Sequence, residues 1–127
     1  MRYILLIIFI FTVFGLSAQK ERKHIRKGNK SFENEEFGNS EVAYQKALSV
    51  EPGSFEAAFN LGDALYKQGK YEEAAKQFQS LASPDLDKKD LSKVYHNLGN
   101  TYLSENKLKK SIEAYKNALR NNPDDDD

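Results

Sequence analysis

The sequence has no cysteine and no tryptophan, and only three prolines, two histidines and one methionine in 127 residues. Without cysteine there is no disulfide, no thiolate nucleophile and no thiolate metal site. His24 and His96 are lone residues with no carboxylate–histidine spacing around them, so a metal centre is not expected. Neither sign of charge is in excess: 19 Lys and Arg stand against 19 Asp and Glu, which removes the bulk attraction that drives nucleic-acid binding. No Gly-rich phosphate loop, Ser-His-Asp order or HExxH appears, and the acidic tail of residues 124–127 lacks the alternating ligand spacing of a calcium loop. An enzyme is therefore not expected, nor any catalytic residue, cofactor or metal.

Long hydrophobic runs are also scarce. One opens the chain, MRYILLIIFIFTVFGLSAQ. Arg2 supplies a positive start, Ile4 to Leu16 is apolar except for Thr12 and Gly15, and Ser17-Ala18 are small. This is the order of a secretory signal peptide, expected over residues 1–18 with cleavage after Ala18. The run is about 13 residues, where a spanning helix needs roughly 20. Leu16 is large for its place before the cut, and KERKHIRKGNK (20–30), with six basic residues and one acidic, resists translocation. An uncleaved anchor is thus an alternative, the chain then being a membrane-associated structural module used for self-assembly. The basic cluster could touch lipid headgroups or an acidic partner, or be no more than a solvated helix turn.

What the chain does have is self-similarity. Gly28 and Gly62 are 34 residues apart, as are Phe32 and Tyr66, Phe37 and Tyr71, and Tyr44 and Phe78. At an offset of 37, Asn60-Leu61-Gly62 matches Asn97-Leu98-Gly99, Ala74 matches Ser111, and Phe78 matches Tyr115. Three copies result, about 21–54, 55–91 and 92–125, within a domain spanning 19–125. Each copy has two helical stretches. In the second, Ala58, Leu61 and Leu65 make one apolar stripe, Ser54 is a suitable N-cap, and Gly69 suits the positive φ that ends a helix. YEEAAKQFQSLA then turns Tyr71, Ala74, Ala75, Phe78 and Leu81 inward. Glycine inside a helix costs about 1 kcal/mol against alanine, so its recurrence at 28, 62 and 99 argues for close helix approach. Ser40, Ala74 and Ser111 are the small facing residues, and Tyr44, Phe78 and Tyr115 fill the space left.

NLGDALYKQGKYEEAAKQF and NLGNTYLSENKLKKSIEAYKNAL resemble the tetratricopeptide repeat (TPR), whose pattern is a large residue, Leu-Gly, Tyr, Ala, an aromatic, Ala and Pro at fixed offsets. Copy one departs at Lys27 and Ser40. Copy two has Pro84 two residues early, and ASPDLDKKD lengthens the connection to copy three. The resemblance implies an all-α fold: three helix–turn–helix repeats in a short right-handed solenoid behind a hydrophobic signal segment. The export signal, the KGN that follows it, and EAAFNLGDALYKQGKYEEA are similar to TPR proteins of Bat-type aerotolerance operons in Gram-negative bacteria. That resemblance implies a periplasmic scaffold in an envelope complex, with a protein or peptide partner that includes membrane proteins among the candidates.

In such a stack the first helix of each pair lines the inner face. Copy one would offer Arg22, Ile25, Arg26, Asn29 and Phe32; copy two Phe59, Asn60, Asp63 and Tyr66; copy three Lys93, His96, Asn97 and Asn100. The groove is expected to bind through Arg26, Asn29, Phe32, Phe59, Asn60, Asp63, Tyr66, Lys93, Asn97 and Asn100. A carboxamide both donates and accepts, so the four asparagines could hold a peptide main chain whatever its side chains. Some TPR domains clamp a C-terminal carboxylate with two Lys, two Asn and an Arg. Asn29, Asn60 and Lys93 stand at three of those positions, but Ile25 and Asn97 replace a Lys and the Arg, so an extended segment or a domain, not a chain terminus, is the expected ligand. At the other edge, Leu108, Ile112, Tyr115 and Leu119 on the last helix cannot all find cover, which makes that helix a candidate for self-association or partner contact.

Overall fold

The structure, a computed structural model, describes residues 2–122 and 124, without the side chains of Arg2 and residues 5–14. Over the expected signal segment the backbone is described from residue 2 and most side chains are not; of the expected acidic tail, residues 125–127 lie outside the described residues. Six helices and no strand occur among the described residues: α1 (Arg2–Glu33), α2 (Phe37–Val50), α3 (Phe55–Lys67), α4 (Tyr71–Leu81), α5 (Lys88–Ser104) and α6 (Leu108–Arg120). Among these residues no helix is long and apolar enough to cross a membrane. The helices fall into two compact units, residues 1–57 and 58–127.

In the first unit α1 and α2 pack as a hairpin. The small residue at 28 is what lets them meet: a Cβ there would lie 2.5 Å from Tyr44 Cε1. Tyr44 and Ser40 are fully buried. Ile25 is buried as well, in a cluster with Ala47 and Ala57 and with Leu48 against it. This corrects its expected place on the binding stripe: an aliphatic side chain at that register gains more from the core than from water. Ser54 caps α3 as expected, its hydroxyl accepting from the Ala57 N–H at 3.3 Å and donating to Glu21.

The second unit repeats the same device. A Cβ at Gly62 would lie 2.6 Å from Phe78 Cε1, and one at Gly99 2.6 Å from Tyr115 Cε1. Ala74 and Ser111 are buried at the facing positions, and the Ser111 hydroxyl donates to the Gly99 carbonyl at 2.9 Å. α4 packs on α5, with Gln79 donating to the Tyr102 hydroxyl. The lengthened connection before α5 ends in an N-cap, Asp87, whose carboxylate accepts from the Asp90 N–H at 2.8 Å.

One turn closes each pair. Among the described residues, positive φ occurs at Glu35 (60°), Gly69 (76°) and Asn106 (60°), spaced by the same 34 and 37 residues as the repeats. Behind each, the next N–H reaches back five residues: Glu36 to Ser31, Lys70 to Leu65 and Lys107 to Tyr102, at 2.8–3.0 Å. These bonds satisfy carbonyls that a helix end otherwise leaves open. The repeat holds this left-handed cap even where the residue is glutamate.

Candidate functional site

The first helix of each pair carries the candidate residues, and each unit presents its own set. In the first unit Arg26 is exposed, while Asn29 and Phe32 are half-buried. Phe32 meets Phe37 edge-on, ring centroids 5.0 Å apart, and the Asn29 side-chain oxygen accepts from the Tyr44 hydroxyl at 2.7 Å. Nearby, burial first and then the ammonium groups of Lys46, Lys20, Lys23 and Lys27 hold the His24 pKa below its usual value. The basic cluster thus includes a lysine from α2.

In the second unit α3 and α5 lie side by side. Asn97 donates to the Asp63 carboxylate at 2.7 Å, and the Tyr66 and Ser104 hydroxyls meet at 3.1 Å. Phe59 and Asn60 are half-buried one turn before Asp63, and Phe59 packs edge-on against Phe78. Lys93 is exposed and lies 3.8 Å from Asp90. A cleft of about 470 Å³ opens here, with Phe59, Lys93, His96 and Asn97 on one side and Ala118 and Leu119 of α6 on the other. Of this α6 wall, the sequence pointed to Leu119 as an uncovered residue of the last helix but not as part of the groove, and Ala118 carried no signal.

The asparagines are less available than their number suggests. Asn29, Asp63 and Asn100 occupy equivalent positions, 34 and 37 residues apart, each 15 before the large core residue. Asn100 accepts from the Tyr115 hydroxyl at 2.5 Å, as Asn29 does from Tyr44. In the middle repeat Phe78 has no hydroxyl to give. Asp63 therefore takes its bond from Asn97 instead, so Asn29, Asn97 and Asn100 are each tied into the fold. Each carboxamide still has further bonding positions.

Burial pushes the Asp63 pKa from 3.8 up to about 6, against the opposing pull of the Asn97 hydrogen bond and Lys67. The folded protein therefore holds this proton more tightly than the unfolded chain. Between pH 3.8 and about 6, stability falls as pH rises through this group. Below that window the penalty is absent; above it the penalty is complete, on the order of 1–3 kcal/mol. Asp63→Asn removes the charge and retains an acceptor for Asn97. Urea unfolding should show the variant more stable than wild type at pH 7.5 and nearly equal to it at pH 3.5. An equal difference at both pH values would contradict the assignment.

Comparison with known proteins decides the family. The tetratricopeptide-repeat pattern matches residues 26–89 and again 92–125. The chain belongs to the tetratricopeptide-repeat family. TPRs are protein-interaction scaffolds rather than enzymes, and the six helices form such repeats. A curated relative, "Protein STIP1 homolog" of Dictyostelium discoideum, is 34% identical over 106 residues; the match spans 80% of this chain but 18% of that protein. Among solved structures, the TPR2AB domain–pHSP90 complex of yeast Sti1 superposes with a TM-score of 0.77 at 26% identity, over 86% of this chain and 43% of that one. The TPR domain of Arabidopsis FLU has a TM-score of 0.75 at 19% identity, over 82% of this chain and 95% of its own. The N-terminal domain of stress-induced protein-1 from C. elegans has a TM-score of 0.76 at 18% identity, over 86% and 89%. The last two show the fold alone.

Proposed function

We propose that this TPR chain is an exported scaffold that holds an extended polypeptide segment on the α3–α5 face, in an envelope complex of the aerotolerance type. The carrying observation is the cleft between α3, α5 and α6. It sets an aromatic wall (Phe59), a cation (Lys93) and a carboxamide (Asn97) around a space of about 470 Å³. The aromatic ring gives contact area, and the carboxamide still has an acceptor for a main-chain N–H. Asp63 shapes the preference. Ionised above about pH 6, it favours a segment that brings N–H donors or a cation, and repels a terminal carboxylate. With Asn97 turned to the Asp63 carboxylate, an internal stretch fits this face better than a C-terminus. The yeast Sti1 structure, a complex of a TPR domain with pHSP90, supports a polypeptide ligand for this chain too.

Export rests on the signal-like order of residues 1–18. The continuity of α1 from Arg2 to Glu33 favours a second reading, in which the N-terminal segment is retained as an anchor. One experiment addresses both readings. A photo-crosslinker at Lys93 should trap one envelope protein at a defined internal segment, while the same group at Val42, exposed on α2, should not. The intact mass of the crosslinked chain gives its first residue, Gln19 for export with cleavage and Met1 for an anchor. Equal trapping at both positions would contradict the assignment of the face.

A further inference from the structure

The outward face of the α1–α2 hairpin carries charge of one sign. Lys20, Lys23 and Lys27 recur at three- and four-residue spacing along α1. Lys46 of α2 joins them: burial first, and then all four ammonium groups, disfavour the charged form of His24. The four lysines are exposed. Between the helices lies a cleft of about 260 Å³, lined by Lys27 and Lys46 with Ser31, Asn39 and the half-exposed Val42. Its one carboxylate, Glu36, accepts from the Asn39 carboxamide at 3.0 Å. The nearby acids are turned elsewhere: Glu21 accepts from Ser54, and Glu56 pairs with Arg22 at 3.2 Å. Among the described residues none of the four ammonium groups has an ion pair.

Spacing and neighbours select the counter-charge. Lys20 to Lys27 spans about 10 Å of helix axis, and Lys46 widens the patch onto a second helix, so the cations match a layer of headgroups better than a single phosphate. The same unbroken helix begins with the apolar run of residues 4–16. Leu16, one turn before Lys20, is 67% exposed. With Leu16 at the edge of the hydrocarbon, the three α1 lysines lie about 6–16 Å above it. That is the headgroup layer, about 5–8 Å deep, plus about one Debye length. An apolar run of about 13 residues is too short to span. A single weak insertion holds a protein only marginally, and a polybasic patch is the second signal that makes attachment stable.

We propose that the lysine face of the α1–α2 hairpin docks on an anionic lipid surface, with Lys20, Lys23, Lys27 and Lys46 against the headgroups. The surface is separate from the α3–α5 face in the residues it requires. It extends the second reading of the N-terminal segment, a retained anchor, and rests on that reading for insertion alone. All four lysines lie beyond Ala18 and stay in the chain if it is cut there.

The test measures binding of the full chain to vesicles of phosphatidylcholine, and to vesicles of phosphatidylcholine and phosphatidylglycerol in equal amounts. Affinity for the first reads the apolar segment, and so the anchor; the ratio of the two affinities reads the lysines. At low salt the ratio should be about a hundred-fold or more, since each lysine at an anionic surface contributes about five-fold. It should shrink as salt rises. Lys23→Gln with Lys46→Gln should cut the ratio about twenty-fold, although the two residues are far apart in sequence. Lys109→Gln with Lys116→Gln removes the same charge from α6 and should change the ratio less than about two-fold. Binding to the anionic vesicles alone would sink the anchor and leave the lysine surface standing. Equal affinity for the two kinds of vesicle, or an equal loss from both double variants, would overturn the proposal. So would an unchanged ratio in a Lys23→Gln, Lys46→Gln variant that has lost binding to polyglutamate, which would assign the lysines to an acidic protein.

Discussion

Gly62→Val should lower the thermal midpoint by on the order of 10 °C or more. Two effects oppose each other at this position. Replacing a helical glycine gains about 1 kcal/mol of helix propensity at most, and less for a β-branched residue. Against that, the new Cβ would sit 2.6 Å from Phe78 Cε1 and 2.7 Å from Cζ. The ring cannot easily give way: Phe78 is fully buried, with Phe59 edge-on against it at 5.7 Å. Overpacking a well-filled core costs about 1–3 kcal/mol, and the two valine methyls place this case at the upper end. For a domain of this size each kcal/mol is worth about 4–8 °C. Phe78→Ala tests the same contact from the other side. Alone it should cost about 3–5 kcal/mol. Combined with Gly62→Val it should cost less than the sum, because the valine methyls enter the space the ring has left. Calorimetric melts of the two single variants and the double variant measure this. A wild-type melt for Gly62→Val, or strict additivity, would remove the glycine–aromatic contact from the account of how the pairs close.

How far the fold was legible depends on whether a constraint left a residue type behind. Close approach at 28, 62 and 99 demands glycine, and the aromatic that fills the gap recurs at 44, 78 and 115, so both could be read as a period. The turn was readable only at Gly69. Asn106 is of a type that takes this geometry readily, but Glu35 is not. The repeat's packing overrides the preference of Glu35, at a cost of about 1–2 kcal/mol.

The candidate face was legible in register and not in wiring. Periodicity placed Asn60, Asp63, Asn97 and Asn100 on the first helices of their pairs. It did not reveal that Asn100 serves Tyr115 and Asn97 serves Asp63, since a hydrogen bond across helices has no local pattern. A clue existed in the 15-residue spacing shared by Asn29–Tyr44 and Asn100–Tyr115, and in its break at Asp63–Phe78. That break sets a carboxylate at this position, and its burial raises its pKa. Ile25 shows the opposite error: helical spacing alone assigned it to the binding stripe, and the packing of Ala47 and Ala57 claimed it for the core.

The central claim is that the α3–α5 face binds polypeptide through its carboxamides, and calorimetry with the segment crosslinked at Lys93 tests it most directly. Asn60→Ala together with Asn97→Ala should weaken that segment by on the order of 1–3 kcal/mol, about ten- to a hundred-fold in Kd. Some loss of stability accompanies the change, about 1 kcal/mol, because Asp63 loses the donor that partly offsets its burial. The variant should still unfold cooperatively, so that lost affinity reports on the face and not on the fold. Wild-type affinity in the folded double variant would contradict the account and move recognition to another surface.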